Sequence, residues 1–253
     1  MNMSSIAISG VVFACVFGGA LLGAFLRAVL PEHHLNEETK DIMKVGTGLI
    51  ATMAALVLGL LIAAAKSSFD AERSEFVQMS ANVVVLDRVL ARYGPETKEA
   101  RDLLRSALVR ALDQIWPKDS SHPAQLDPMA ARAEGVYYKI QELSPRNEAQ
   151  RSLQAQALSL ALSLGQMRWL TFAQEGRSIP MPFLVVLVFW ITIIFVGLGL
   201  FAPHNATAIA ILLVCALSVS SAIFLILELD TPFGGLIQIS SVPLRNALAH
   251  LGQ

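Results

Sequence analysis

The sequence predicts an all-α membrane protein: four transmembrane helices, with a cytosolic helical bundle inserted between helices 2 and 3. Residues 6–26, 45–65, 181–201 and 206–227 contain no Asp, Glu, Lys or Arg. As an α-helix each stretch spans about 30 Å, the thickness of the hydrocarbon core of a bilayer. The composition agrees, because 54% of the residues are hydrophobic and only 15% are charged, as is typical of membrane proteins.

These stretches divide the chain into four parts. Residues 1–65 hold transmembrane helices 1 and 2, and residues 66–177 form a charged cytosolic helical domain. Residues 178–229 hold transmembrane helices 3 and 4, and residues 230–253 form a cytosolic C-terminal tail with a short helix. The start of the chain has no basic residue before the first apolar stretch, so we expect a retained helix rather than a cleaved signal peptide.

Small residues and breakers define the first two helices. Gly19 and Gly23 form a small-xxx-small motif that predicts close helix packing in the membrane. From Leu60 to Tyr93 the chain contains no Gly or Pro, and the first break is Gly94-Pro95. Helix 2 is therefore predicted to run unbroken from about Val45 to Tyr93 and to extend well beyond the membrane.

The central domain is predicted to contain three further helices. The first spans about Glu96 to Ile115 and stops at Trp116-Pro117. Asp127-Pro128 is typical of an N-cap followed by the first helical residue and predicts a short helix to about Leu143. Ser144-Pro145 repeats that pattern and predicts a longer helix to about Glu175.

The C-terminal tail begins with a helix break. Asp230 or Thr231 before Pro232 is a suitable N-cap pair, and Ser241-Val242-Pro243 predicts a last helix to about Leu251. No alternating strand pattern occurs anywhere, which leaves the class as all-α.

Basic residues near the membrane predict the orientation. Two helical hairpins place the N-terminus, residues 66–177 and the C-terminus on one face of the membrane. That face carries the larger share of basic residues close to the apolar stretches: Lys66, Arg73, Arg168, Arg177 and Arg245. Because Lys and Arg favour the cytoplasmic side, both termini and the central domain are predicted to be cytoplasmic.

Two segments resemble a known family. The first is Phe224-Leu-Ile-Leu-Glu-Leu-Asp-Thr-Pro-Phe-Gly-Gly, followed by Pro243-Leu244-Arg245; the second runs from Lys66 through Asp87-Arg88-Val89-Leu90. Both resemble the bacterial bestrophin-like membrane proteins, which are remotely similar to the pentameric bestrophin anion channels. The resemblance implies a homo-oligomer, a pentamer by analogy, in the bacterial inner (cytoplasmic) membrane. True bestrophins narrow their pore with aromatic and aliphatic residues on helix 2, whereas residues 45–65 contain no aromatic residue.

Helix 2 carries a heptad-like seam of small residues that ends in basic residues. Its members recur at alternating spacings of four and three: Gly48, Thr52, Ala55, Gly59, Ile62, Lys66, Phe69 and Arg73. Such a stripe could line a pore around a symmetry axis, with Lys66 and Arg73 as basic rings that favour anions. It could equally be a surface for close helix packing, and the two interpretations can coexist in an oligomer.

Glu228 and Asp230 are unusual because carboxylates at a helix C-terminus oppose the helix dipole. Three roles remain open: capping of the following segment, a salt bridge to Arg73 or Arg168, and a cation site.

The remaining patterns exclude several classes of function. The sequence contains no HExxH, CxxC, phosphate loop or Ser/His/Asp arrangement, so we expect no enzyme, no cofactor and no metal centre. It has no basic stripe for nucleic acid. Proton-coupled transport is disfavoured, because the apolar stretches contain no ionisable acid or base at mid-membrane.

Two functions remain after these exclusions. The leading one is a passive ion channel or pore on the axis of a homo-oligomer, with the lipid bilayer and inorganic ions as its partners. The alternative is a non-conducting membrane scaffold or sensor whose cytosolic domain binds a protein.

Overall fold

The computed structural model of the chain describes residues 4–31, 37–116, 131–173, 181–203 and 205–252. Within them every regular element is helical, so the all-α prediction is confirmed. The helices are α1 (Ser5–Val29), α2 (Glu37–Tyr93), α3 (Lys98–Ile115), α4 (Ala131–Gln141), α5 (Glu148–Ala173), α6 (Met181–Phe201), α7 (Ala206–Leu229) and α8 (Val242–His250), with a 3₁₀ turn at Pro95–Thr97. Four of them, α1, α2, α6 and α7, are long and apolar enough to cross a membrane.

The chain divides into two compact units. Unit 1 comprises Met1–Ser68 and Arg177–Thr231, and unit 2 comprises Phe69–Gly176 and Pro232–Gln253. Helix α2 belongs to both, because it continues for 57 residues without interruption. The predicted continuity of helix 2 is therefore confirmed. Its end at Tyr93 is also confirmed, since Gly94 has a φ of 140° that residues with a side chain rarely adopt.

Close approach of α1 and α6 organises unit 1. A Cβ atom on Gly23 would overlap the carbonyl oxygen of Val196 and lie 2.8 Å from the backbone nitrogen of Leu200. A Cβ atom on Gly199 would overlap the carbonyl oxygen of Ala20. The helices therefore touch through backbone, as small-xxx-small packing requires, and the packing predicted for Gly19 and Gly23 is confirmed.

The apolar core of unit 1 draws on all four long helices. Its fully buried members include Val16 of α1, Ala65 of α2, Leu187 of α6 and Ile223 of α7. At one end of this unit α1 ends, α2 begins, α6 ends and α7 begins; we call this the loop end. There the Arg27 guanidinium donates a hydrogen bond to the Ala202 carbonyl, which satisfies an acceptor at the C-terminus of α6.

Unit 2 buries a separate core. Its most buried apolar side chains include Leu86 and Leu90 of α2, Ile140 of α4 and Leu244 of α8. Gln154 of α5 donates hydrogen bonds to the carbonyl oxygens of Ile140 (2.9 Å) and Leu143 (2.8 Å). These bonds satisfy acceptors at the C-terminus of α4 and fix the turn that leads into α5.

Several predicted boundaries are wrong in detail. Helix 2 begins at Glu37 rather than about Val45, because acidic residues in the first turn and i,i+3 pairs such as Lys40–Glu37 extend the helix. Helix α3 begins at Lys98 after a 3₁₀ turn. Helix α5 begins at Glu148 rather than near Ser144, since Asn147 caps it by accepting a hydrogen bond from the Gln150 backbone at 2.8 Å. The Asp127-Pro128 start lies outside the described residues.

Candidate functional site

The membrane part of α2 presents three different faces, spaced roughly a third of a turn apart at about 100° per residue. The first face is packed within unit 1. Ala54, Leu61 and Ala65 are buried in its core. Nearer the loop end, Met43 and Thr47 approach α6 so closely that a Cβ atom on Gly197 would lie 3.2 Å from the Met43 Cε atom. This face fixes how α2 is rotated within the unit.

The second face is the predicted seam, and it is exposed along the whole membrane segment. The exposed members are Gly48, Thr52, Ala55, Gly59, Ile62 and Lys66, and Arg73 is exposed farther along α2. Cβ atoms on Gly48 or Gly59 would meet nothing within 4 Å. The seam therefore does not pack against other described helices of its own chain.

Phe69 differs from the rest of the seam. Its side chain is only 8% exposed, because at this position the stripe has drifted towards the packed side of the helix. A heptad repeat on a straight α-helix drifts by about 20° per heptad, which accounts for the direction of this change. Phe69 contributes packing and lines no open surface.

The third face is apolar and bulky. It carries the most exposed aliphatic side chains of α2, all between 65% and 75% exposed: Ile42, Val45, Leu49, Leu56 and Leu60. Large aliphatic side chains suit contact with lipid tails, whereas small residues suit close approach of helices or a water-filled path. The two exposed faces of α2 thus differ in chemistry as well as in direction.

The membrane part of the seam offers few polar groups. Thr52 is its one hydroxyl residue, and that hydroxyl donates to the Leu49 carbonyl at 2.8 Å within its own helix. Ile62 is the bulkiest of the exposed seam residues in the membrane and is 42% exposed. Charge enters only at Lys66 and Arg73. The seam is a narrow, weakly polar strip with basic residues at one end.

The comparisons agree with this architecture. A family model described as the Bestrophin-like domain matches residues 14–244. The chain belongs to the bestrophin-like family. Its membrane helices and its family membership mark it as an integral membrane protein. No curated protein and no solved structure matches the chain.

In this bestrophin-like chain Glu228 and Asp230 have separate environments. Glu228 is 4% exposed and is the most buried charged residue that the structure describes in unit 1. Asp230 is the C-cap residue of α7, and Thr231 donates its hydroxyl to the carbonyl oxygens of Leu227 and Glu228. No helix begins at Pro232. The predicted N-cap at Asp230 or Thr231 is therefore wrong, and this segment ends a helix instead.

A metal centre is not assembled in the part of the chain that the structure describes. Those residues contain no group of three or more His, Cys, Asp or Glu side chains that could hold a metal ion. Cys15 and Cys215 are free and exposed.

The family segments that sequence reasoning left unexplained have structural roles in unit 2. The Asp87 carboxylate accepts hydrogen bonds from Arg101 Nε (2.7 Å), Arg101 Nη2 (2.9 Å) and the Gly252 backbone (3.2 Å). The side-chain hydrogen bond to Asp87 raises the pKa of the Arg101 guanidinium above its ordinary value. A buried Asp followed at i+14 by an Arg gives no local signal, so sequence reasoning missed it.

The tail segment of the bestrophin-like domain packs through aromatic rings. Phe76, Trp116 and Phe233 make three mutual edge-to-face contacts with ring centroids 5.2, 6.1 and 6.2 Å apart. Trp116 Nε1 also donates to the Ile239 carbonyl at 3.1 Å, and the Ile239 backbone donates to the Pro232 carbonyl at 2.9 Å. The Pro-Phe-Gly-Gly motif thus anchors the irregular tail within unit 2.

Proposed function

We propose that this chain forms a homo-oligomeric membrane pore for passive ion conduction, with the exposed seam of α2 facing the symmetry axis. One observation carries the proposal: in a bestrophin-like chain, α2 has a continuous strip of small residues that no other described part of its own subunit covers. If this strip faced lipid, its glycine and alanine residues would lose the van der Waals contacts that stabilise membrane helices. In a homo-oligomer whose subunits surround an axis, the strips of all subunits would together line a pore.

The chemistry of the strip supports passive conduction rather than active transport. Its membrane part has no ionisable side chain, and coupled transporters need such groups at mid-membrane. We infer that a ring of Ile62 side chains forms the narrowest point, because Ile62 is the bulkiest exposed seam residue in the membrane. A hydrophobic constriction can gate a pore by excluding water.

The basic end of the strip supports anion preference. Lys66 and Arg73 are exposed, and in an axial arrangement they would form two positive rings at one mouth. Fixed charge at a pore mouth raises the local concentration of the opposite ion. In the proposed orientation this mouth, unit 2 and both chain termini are cytoplasmic, in the inner membrane of a bacterium. We assign no catalytic activity to the chain.

A second function is favoured by the surface of unit 2. Helix α5 exposes Leu162 (53%), Trp169 (46%) and Leu170 (53%) to the surroundings. Exposed large apolar side chains on a cytosolic helix are typical of an interaction surface. This observation supports a scaffold or sensor in which α5 binds a protein partner and α2 only packs between copies.

Ion flux through purified protein in liposomes separates the two functions. We expect wild-type protein to pass chloride in preference to sodium, and Ala55→Phe to reduce that flux by narrowing the path. Leu56→Phe is the matched control, because it adds a ring one residue away on the bulky face. If Ala55→Phe breaks the oligomer while Leu56→Phe leaves it intact, the seam is a packing surface without a lumen.

Charge reversal tests selectivity. A tenfold salt gradient gives a reversal potential of up to about 59 mV for a perfectly selective monovalent pore. Lys66→Glu should move the reversal potential towards the cation value, and Lys66→Arg should leave it unchanged because the ring charge is kept. An intact wild-type oligomer with no flux at any salt concentration or voltage would refute conduction and support the scaffold.

A further inference from the structure

A cleft of about 620 Å³ opens at the loop end of unit 1. It lies between the start of α2, the end of α6 and the start of α7, and it is lined by Lys40, Lys44, Gly197, Phe201, Asn205 and Ile211, among others. Its volume lies within the range of about 300–1,000 Å³ that is usual for small-molecule sites. No seam residue lines the cleft, because the cleft lies on the packed side of α2.

The cleft lies at the boundary between membrane and water. Lys44 is the last charged residue before the charge-free stretch 45–65, and Phe201 is the last residue of the stretch 181–201. Asn205 directly precedes the stretch 206–227 and caps α7 by accepting a hydrogen bond from the Ala208 backbone at 2.8 Å. The mouth of the cleft is therefore at the level of lipid head groups, and its walls continue into the hydrocarbon region.

The mouth of the cleft is suited to an anion. Lys40 and Lys44 line it, and the N-terminus of α7 adds partial positive charge. Both lysines also contact acidic residues, Glu37 at 3.2 Å and Asp41 at 2.9 Å. These acids do not line the cleft, and their side chains are 82% and 70% exposed. Exposed ion pairs of this kind are weak, so a phosphate at the mouth can compete for the lysines.

The interior of the cleft is suited to an alkyl chain. Leu198, Phe201, Ile211 and Leu212 supply apolar surface below the lysines. An extended polypeptide segment would need partners for its backbone N–H and C=O groups at this depth, and apolar walls supply none. An alkyl chain has no such requirement.

We propose that the cleft binds one anionic phospholipid, with its phosphate between Lys40 and Lys44 and the first part of an acyl chain against Phe201 and Ile211. The negative head group complements the two lysines, and the chain complements the walls. This site is independent of conduction: it would exist equally in a pore and in a scaffold, so its test and the flux test fail separately.

Lipid binding to the purified full-length protein tests the proposal. Native mass spectrometry in detergent compares phosphatidylglycerol with phosphatidylcholine of identical acyl chains. Wild-type protein should bind phosphatidylglycerol more tightly. One lysine near an anionic lipid changes the affinity for that lipid about fivefold. The double variant Lys40→Gln with Lys44→Gln should therefore lower the affinity for phosphatidylglycerol about 25-fold. Lys98→Gln with Lys139→Gln, which removes the same charge from unit 2, should have no effect.

A second pair of variants tests the cleft without changing charge. Ala208 lines the cleft, so Ala208→Phe should fill it and reduce binding of both lipids. Ala210→Phe adds the same ring about 200° around α7 and should leave binding unchanged. Equal affinity for the two lipids in wild type would overturn the proposal. So would displacement of the lipid by an equal concentration of inorganic phosphate, because the acyl chain would then contribute nothing.

Discussion

The buried ion pair of unit 2 gives the sharpest stability prediction. Arg101→Met removes the bidentate partner of Asp87, whose side chain is 4% exposed. Among the described residues, the carboxylate then keeps only its hydrogen bond from the Gly252 backbone. Methionine keeps most of the volume of arginine, so packing changes little. The loss of stability therefore measures the cost of a buried carboxylate without its cation.

The expected magnitude follows from burial. Removing one partner of a buried pair costs about 3–5 kcal/mol. Because the Arg101 side chain is 24% exposed, water can reach part of the site, and we expect the lower end, about 3 kcal/mol. For a domain of this size each 1 kcal/mol lowers Tm by about 3 °C, so Tm should fall by roughly 10 °C.

Thermal unfolding of the purified protein in detergent, followed by tryptophan fluorescence, measures the change. Arg151→Met is the control, because it removes an arginine from an exposed i,i+3 pair with Glu148 and should leave Tm unchanged. Asp87→Leu combined with Arg101→Met removes both charges and should recover most of the loss, since an apolar pair of similar volume is often neutral. A single variant within about 2 °C of wild type, or a double variant less stable than Arg101→Met, would refute this reasoning.

Three further predictions follow from the helices. Gly23→Leu should separate α1 from α6 and cost about 1–3 kcal/mol or more in thermal unfolding, whereas Gly18→Leu, in open space, should not; equal effects would contradict the close crossing. Ser74→Pro should interrupt α2 and cost about 3 kcal/mol or more, with Ser74→Ala as the control; wild-type oligomer yield and Tm in the proline variant would contradict a continuous helix. A cysteine at Ser159, with both native cysteines replaced by alanine, should react with an impermeant thiol reagent only in opened cells; labelling of intact cells would reverse the proposed orientation.

Local patterns were sufficient for the elements whose formation depends on local chemistry. The charge-free stretches predict the four apolar helices because hydrocarbon excludes charge regardless of what surrounds the helix. The absence of Gly and Pro from Leu60 to Tyr93 predicts how far α2 continues beyond the apolar stretch. Local patterns were misleading at Asp230-Thr231-Pro232, which suited an N-cap, because contacts distant in sequence, such as Phe233 with Phe76, hold the following segment in an irregular course. A cap pair cannot nucleate a helix against such packing.

The candidate site divides in the same way. The sequence by itself determined that α2 carries a stripe of small residues ending in Lys66 and Arg73, because periodicity is a local property. It could not determine which side of α2 the chain covers. In a membrane helix almost every residue is apolar, so hydropathy does not distinguish a packed face from an exposed one. Only the tertiary structure decided this: Ala54, Leu61 and Ala65 occupy the core of unit 1, and this packing leaves the seam open.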